Sequence, residues 1–187
     1  SLRLRVNPVL TFKTGYDNRR TIRLYRDFVT PETQFDDDFR QGLWWGADLR
    51  IRKRYRMGFD LRTRSGGSVS RANTYTLNLG ASRLTSLGFR IRTRSSRYTN
   101  QRVEGWLHSL TTGFSMGARM NLDLNGGMRD ENSLLPGGQQ SKLTWYGFDW
   151  DINIGRHWFL LLSTERDRSS DAARANDQYY TTLVYRF

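Results

Sequence analysis

The sequence predicts an all-β protein, an antiparallel up-and-down run of long strands forming a single domain over residues 1–187. Two observations carry that prediction. Apolar and polar residues alternate with period 2 along nearly the whole chain, as in strands with two unlike faces, and no window shows helical spacing. Between the alternating runs lie segments rich in Gly, Ser, Asn, Asp and Arg, the residues of turns and solvated loops, and short ones alternate with long ones.

Strands are expected over about 2–14, 20–28, 41–52, 54–64, 73–82, 87–97, 104–116, 118–129, 142–154, 157–167 and 177–187. In the first, Leu2, Leu4, Val6, Leu10 and Phe12 oppose Arg3, Arg5, Asn7, Thr11 and Lys13. In the fourth, Tyr55, Met57, Phe59 and Leu61 oppose Arg56, Asp60, Arg62 and Arg64; in the sixth, Leu87, Phe89 and Ile91 oppose Arg90, Arg92 and Arg94. Met120, Leu122, Leu124 and Met128 face away from Arg119, Asn121, Asp123, Asn125 and Arg129. The division is clearest in the ninth, where Tyr146, Phe148, Trp150, Ile152 and Ile154 alternate with Trp145, Gly147, Asp149, Asp151 and Asn153. Short connections are expected around 16–19, 53, 83–86, 117 and 155–156, and long ones over 29–40, 65–72, 97–103, 130–141 and 168–177.

Composition narrows the class. Thirty Lys and Arg against 18 Asp and Glu leave a charge of +12, and there is no cysteine. That excludes a disulfide scaffold, a zinc site of the Cys type and a thiol nucleophile. Aromatics at 13% are too abundant for a disordered basic tail. No run of about 18 apolar residues is present, which excludes a transmembrane helix. It does not exclude membrane-crossing strands, because only alternate residues of a transmembrane β-barrel face lipid. The expected strands approach the 9 to 11 residues or so that cross a bilayer at a tilt, and exceed the usual 5 to 6 or so of soluble sheets. Phe12, Tyr16, Tyr55, Phe89, Trp158, Tyr185 and Phe187 lie near the short turns; Phe28, Trp45, Tyr75, Trp106, Tyr146 and Tyr179 lie towards the long loops. Two such belts suit the two membrane–water interfaces.

The C-terminal strand reads Tyr179-Tyr180-Thr181-Thr182-Leu183-Val184-Tyr185-Arg186-Phe187, with Tyr179, Thr181, Leu183 and Tyr185 at alternate positions before a terminal Phe187. This resembles the β-signal of bacterial outer-membrane β-barrel proteins. The resemblance implies an integral barrel in the outer membrane of a Gram-negative-type bacterium, inserted by the barrel-assembly machinery, with short periplasmic turns and longer extracellular loops. Bacterial single-chain barrels have an even strand number, so eleven expected strands leave two readings: about 12 strands with one missed, or the C-terminal part of a larger barrel protein. No leader-like segment precedes Ser1, as expected of a mature chain or a fragment.

In this register the lumen would be lined by Arg50, Arg52, Arg56, Arg62, Arg64, Arg90, Arg92, Arg94 and Arg119, together with Arg3, Arg5 and Arg129, and by Asp48, Asp60, Asp123, Asp149, Asp151 and Glu165. Basic residues dominate the third to sixth strands and acidic ones the eighth to tenth. Opposed walls of this kind create a transverse field and an anion-leaning pore. The other reading is that Arg–Asp pairs simply fill the interior of the membrane-embedded component of a larger assembly, a barrel of about twelve strands being intermediate between filled and water-filled barrels. Near the loops, Arg40, Arg71, Arg97, Arg102, Arg168 and Arg174 either meet lipid and lipopolysaccharide phosphates or are simply solvated loop charges. Other outer-membrane or periplasmic subunits are further expected partners. Nucleic acid is disfavoured, because the arginines alternate with apolar residues instead of forming one exposed stripe.

No catalytic signature emerges, and the expectation is that the chain is not an enzyme. His108 and His157 are the two histidines. In Trp106-Leu107-His108-Ser109 the neighbours His108 and Ser109 face opposite ways and form no dyad. Asp36-Asp37-Asp38 lies in the first long loop and reads as solvated, and Asp149 with Asp151 lacks a histidine on the same wall. Gly66-Gly67, Gly126-Gly127 and Gly137-Gly138 do not match phosphate-loop spacing. No metal site or cofactor is expected. The reading of a different class is a soluble basic β-barrel that binds an acidic ligand or nucleic acid.

Overall fold

A strand whose side chains alternate in polarity is stable only if its backbone groups are paired and its two faces meet different surroundings. A computed structural model gives the alternating segments that pairing. It describes residues 1–18, 41–52, 54–66, 70–86, 88–117, 119–170 and 175–185. The strands are β1 (Leu2–Arg5), β2 (Leu10–Asn18), β3 (Gln41–Ile51), β4 (Tyr55–Gly66), β5 (Ser70–Ala81), β6 (Arg90–Thr99), β7 (Val103–Met116), β8 (Met120–Ser133), β9 (Gln140–Ile154), β10 (Trp158–Ser169) and β11 (Asn176–Tyr185). Each pairs antiparallel with its neighbours in sequence, so the eleven-stranded sheet keeps chain order from β1 at one edge to β11 at the other. Among the described residues there is no helix.

From β3 onwards the strands fall within a few residues of expectation. The first expected strand, 2–14, is instead a hairpin. Pro8 has no amide to pair, and the Asn7 side-chain oxygen accepts the amides of Val9 and Leu10 at 2.9 and 2.7 Å, so the chain reverses between β1 and β2. Nor does a turn begin at Tyr16: it pairs with Leu43, and β2 runs on to Asn18. The expected strand at 20–28, with Phe28, lies outside the described residues.

The connections also depart from the expected strict alternation of lengths. Those expected to be long at 65–72 and 97–103 shrink to residues 67–69 and 100–102, and the short one at 83–86 widens to 82–89. Ladder bonds are made by backbone, so polar segments can extend strands: Ser65 pairs with Arg71, Thr99 with Glu104 and Glu131 with Ser141. Asn100 closes the tight β6–β7 turn, its side-chain oxygen accepting the amides of Arg102 and Val103 at 2.8 and 2.7 Å. The connections 52–54, 82–89, 117–119 and 155–157 share one end of the sheet, here the turn end; 67–69, 100–102, 134–139 and 170–175 share the other, the loop end.

The two faces are unlike. One carries Leu43, Tyr146 and Leu183, which are 65%, 60% and 58% exposed, with Trp45, Tyr55, Leu79, Trp106, Leu124 and Trp158 also in the open. The other carries the charged residues and the core, which sits towards the loop end: Tyr98 and Leu107 are fully buried, packed with Leu143 and Trp145 and flanked by Val103. Glycine makes room for it. A methyl at Gly127 would collide with the Trp145 ring, and one at Gly105 would stand 2.8 Å from Tyr98 Cζ.

Candidate functional site: an arginine row on the polar face

The polar face contains two kinds of basic residue, and register separates them. Arg64 and Arg90 are held by carboxylates two strands away. Arg90 of β6 donates to Asp123 of β8 from Nη2 at 2.8 and 2.7 Å and from Nε at 3.2 Å, and to Ser115 at 3.3 Å. Such a contact must cross β7, and it crosses at Gly113, where a side chain would overlap both partners. Arg64 of β4 reaches Asp17 of β2 at 2.9 Å over Gly42, and this pair is almost fully buried. Tyr98 likewise donates to Glu131 over Gly105. These groups brace the sheet.

Arg50, Arg56 and Arg92 are different. Arg50 lies directly opposite Arg56, which lies opposite Gly80, which lies opposite Arg92, so three guanidinium side chains share one row across β3 to β6. None of the three makes an ion pair with another described residue. Like charges directly opposite on a sheet repel, and here water or an anion must offset that. A methyl at Gly80 would meet only the Ile91 carbonyl oxygen, at 3.6 Å. The row therefore borders open space: a hollow of about 720 Å³ at the turn end, lined also by Arg54, Asn78, Thr111 and the Arg90–Asp123 pair.

The remaining expected lining residues distribute around this row. Asp48 pairs with Lys13, and Asp60 accepts from Asn78 at 3.3 Å. Arg62 is half-buried on the same face of β4, and Arg94 with Glu165 borders a second hollow of about 460 Å³ nearer the sheet centre. Asp149 accepts from Ser163 and, at 3.3 Å, from Asn125; Asp151 lies beyond it on the same face of β9. Arg52 and Arg119 sit in the turns after β3 and β7, Arg52 with a left-handed φ of 50°. Arg3 and Arg5 are exposed on β1, and Arg129 pairs with Glu131 at 3.5 Å. Asp36, Asp37, Asp38, Arg40, Arg174 and Phe187 lie outside the described residues. Among the described residues no group of three or more metal-ligating side chains converges.

On the apolar face the structure joins a pair that sequence inspection missed. Ser95 pairs with His108 across β6 and β7, and Ser95 Oγ lies 3.0 Å from His108 Nδ1. Adjacent residues on one strand could never have revealed it. The signal was the tight turn at 100–102, which fixes 95 opposite 108, but a long loop was expected there. His157 stacks on Tyr185 at 5.6 Å beside Trp158, at the turn end.

No protein-family model matches the chain, and no curated protein matches it in sequence.

Proposed function

We propose that this chain is an integral outer-membrane β-barrel of a Gram-negative-type bacterium, closed around its arginine-bearing face, and that the arginine row receives an anionic group entering from the turn end. The uncovered apolar face carries this reading. Large apolar side chains stand exposed on strands from β1 to β11 with no second layer over them among the described residues, far beyond the few hundred Å² or so of apolar patch a soluble monomer tolerates. Tyr179, Leu183 and Tyr185 of the β-signal-like strand share that face and are exposed with it. Strands of 9 to 15 residues from β2 onwards have the length to cross a bilayer at a tilt.

Of the two interior readings, the filled one has more support. Tyr98, Leu107, Leu143 and Trp145 occupy the polar face towards the loop end, leaving the basic hollow at the turn end. This suits the membrane-embedded component of a larger assembly, holding an anion or an acidic segment of a periplasmic subunit, better than an open pore. In planar bilayers the folded protein should give little conductance. Steady anion-selective channels would instead establish the pore. Pyrophosphate should bind the detergent-folded protein, and Arg50→Gln with Arg56→Gln should weaken that binding at least tenfold. The soluble alternative predicts a monomer fully folded in plain buffer, and that result would sink the proposal.

A further inference from the structure

The apolar face is not uniformly apolar, and its exception is ordered along the strands. At the β6–β8 region, from the loop end inward, the outward side chains of successive register rows are Arg97 with Trp106 and Asp130, then Ser95 with His108 and Met128, then Thr93 with Leu110 and Gly126. Arg97 lies over the Trp106 ring, 5.4 Å from its centroid, and makes no ion pair with another described residue. The acids nearby are Glu104, one row further towards the loop end, and Asp130, which accepts from Gln140 Nε2 at 2.8 Å. His108 stacks on Trp106, the rings 5.9 Å apart and 6° from parallel. Because Gly126 has no side chain, the next rows open into a shallow groove of about 560 Å³, walled by Leu110, Leu124 and Met128.

We infer that this strip is a site for one membrane lipid with a phosphate-bearing headgroup. The reading rests on the membrane proposal above. Cation, hydrogen-bonding pair and apolar groove follow in the order of phosphate, ester and acyl chain in such a lipid, and the cation lies on the loop side, as an interface there requires. Arg97 offers a guanidinium for bidentate contact with phosphate, already oriented by Trp106. The Ser95–His108 bond supplies a donor whichever way it runs. If Ser95 donates to Nδ1, the neutral ring keeps its proton on Nε2; if Nδ1–H donates, the serine hydroxyl proton is free. Either donor can meet an ester or phosphate oxygen. The groove then takes the start of a chain, flanked by Leu110 and Leu124.

The test is native mass spectrometry of the full chain folded in dodecyl maltoside, which carries no phosphate, with added dimyristoyl phosphatidylglycerol. One lipid should be retained per chain, and millimolar inorganic phosphate should not displace it. Arg97→Gln and Gly126→Val should each lower retention at least tenfold, Leu124→Trp replacing the latter if it fails to refold. Protein that folds in detergent yet retains no lipid, or whose retention ignores these substitutions, would overturn the site and leave the membrane reading standing. Displacement by phosphate alone would reduce it to a surface anion contact and overturn it equally. Folding only in plain buffer would overturn both.

Discussion

At the scale of single residues, this sheet depends on glycine as a bridge support. Arg90–Asp123, Arg64–Asp17 and Tyr98–Glu131 all span an intervening strand, and each passes over a glycine. Gly113→Ala should therefore destabilise by about 1–3 kcal/mol, the usual cost of overpacking, whereas Gly80→Ala, with open space before it, should be near neutral; denaturant unfolding in detergent measures both. Asp17→Asn breaks a buried ion pair by removing one of its charges, and the expected loss is about 3–5 kcal/mol. Asp17→Leu combined with Arg64→Met should recover most of it in the same measurement. None of these contacts was legible in the sequence. The partners of Arg90–Asp123 lie 33 positions apart, and only the exact register of three strands brings them together. What was legible was the face on which each side chain belongs, because parity along a strand does not depend on register.

Elements were read with more success than connections. From β3 to β11 the alternation is long enough to identify each strand, most clearly in β9, which runs from Gln140 to Ile154. β1 and β2 were merged because Asn7, Pro8 and Val9 preserve the alternation through a reversal. Loop ends were misjudged for a different reason: Asp130–Ser133 looks like solvated loop, yet its backbone pairs with β7 and β9 and lengthens β8. The tight turns themselves are specified locally. Gly117 has a φ of 68° between β7 and β8, a left-handed conformation that a β-carbon resists by roughly 1–2 kcal/mol. Gly117→Val should lower the unfolding free energy by about that amount. A matching substitution at Gly137, also left-handed at 75° but in the wider 134–139 connection, should be better absorbed because the loop can rearrange. Equal losses at both positions would show that the β7–β8 hairpin has no special dependence on its turn.

For the molecule as a whole, the two edges pose a geometric question. Every neighbour pair is antiparallel, so the odd-numbered strands run the same way and β1 is parallel to β11. A direct junction of these edges would be parallel; one more strand between them would give an even, fully antiparallel barrel of twelve, one of the two strand counts the sequence left open. The arrangement of charge on the sheet's two faces does not depend on whether or how these edges meet. A net charge of +12 first suggests a soluble partner for nucleic acid, but register places Arg50, Arg56 and Arg92 together on the face opposite Tyr146, Phe148 and Leu183. The central claim is that these two faces meet different solvents. Because the chain has no native cysteine, single cysteines can be placed one at a time from Thr144 to Asn153 on β9, labelled with a fluorophore, and probed in liposomes with a lipid-embedded and an aqueous quencher. The account predicts two patterns in antiphase: even-numbered positions quenched from the lipid and odd-numbered positions from water, apart from Trp145, which is packed in the core. Even-numbered positions quenched by the aqueous agent alone, in folded protein, would contradict it.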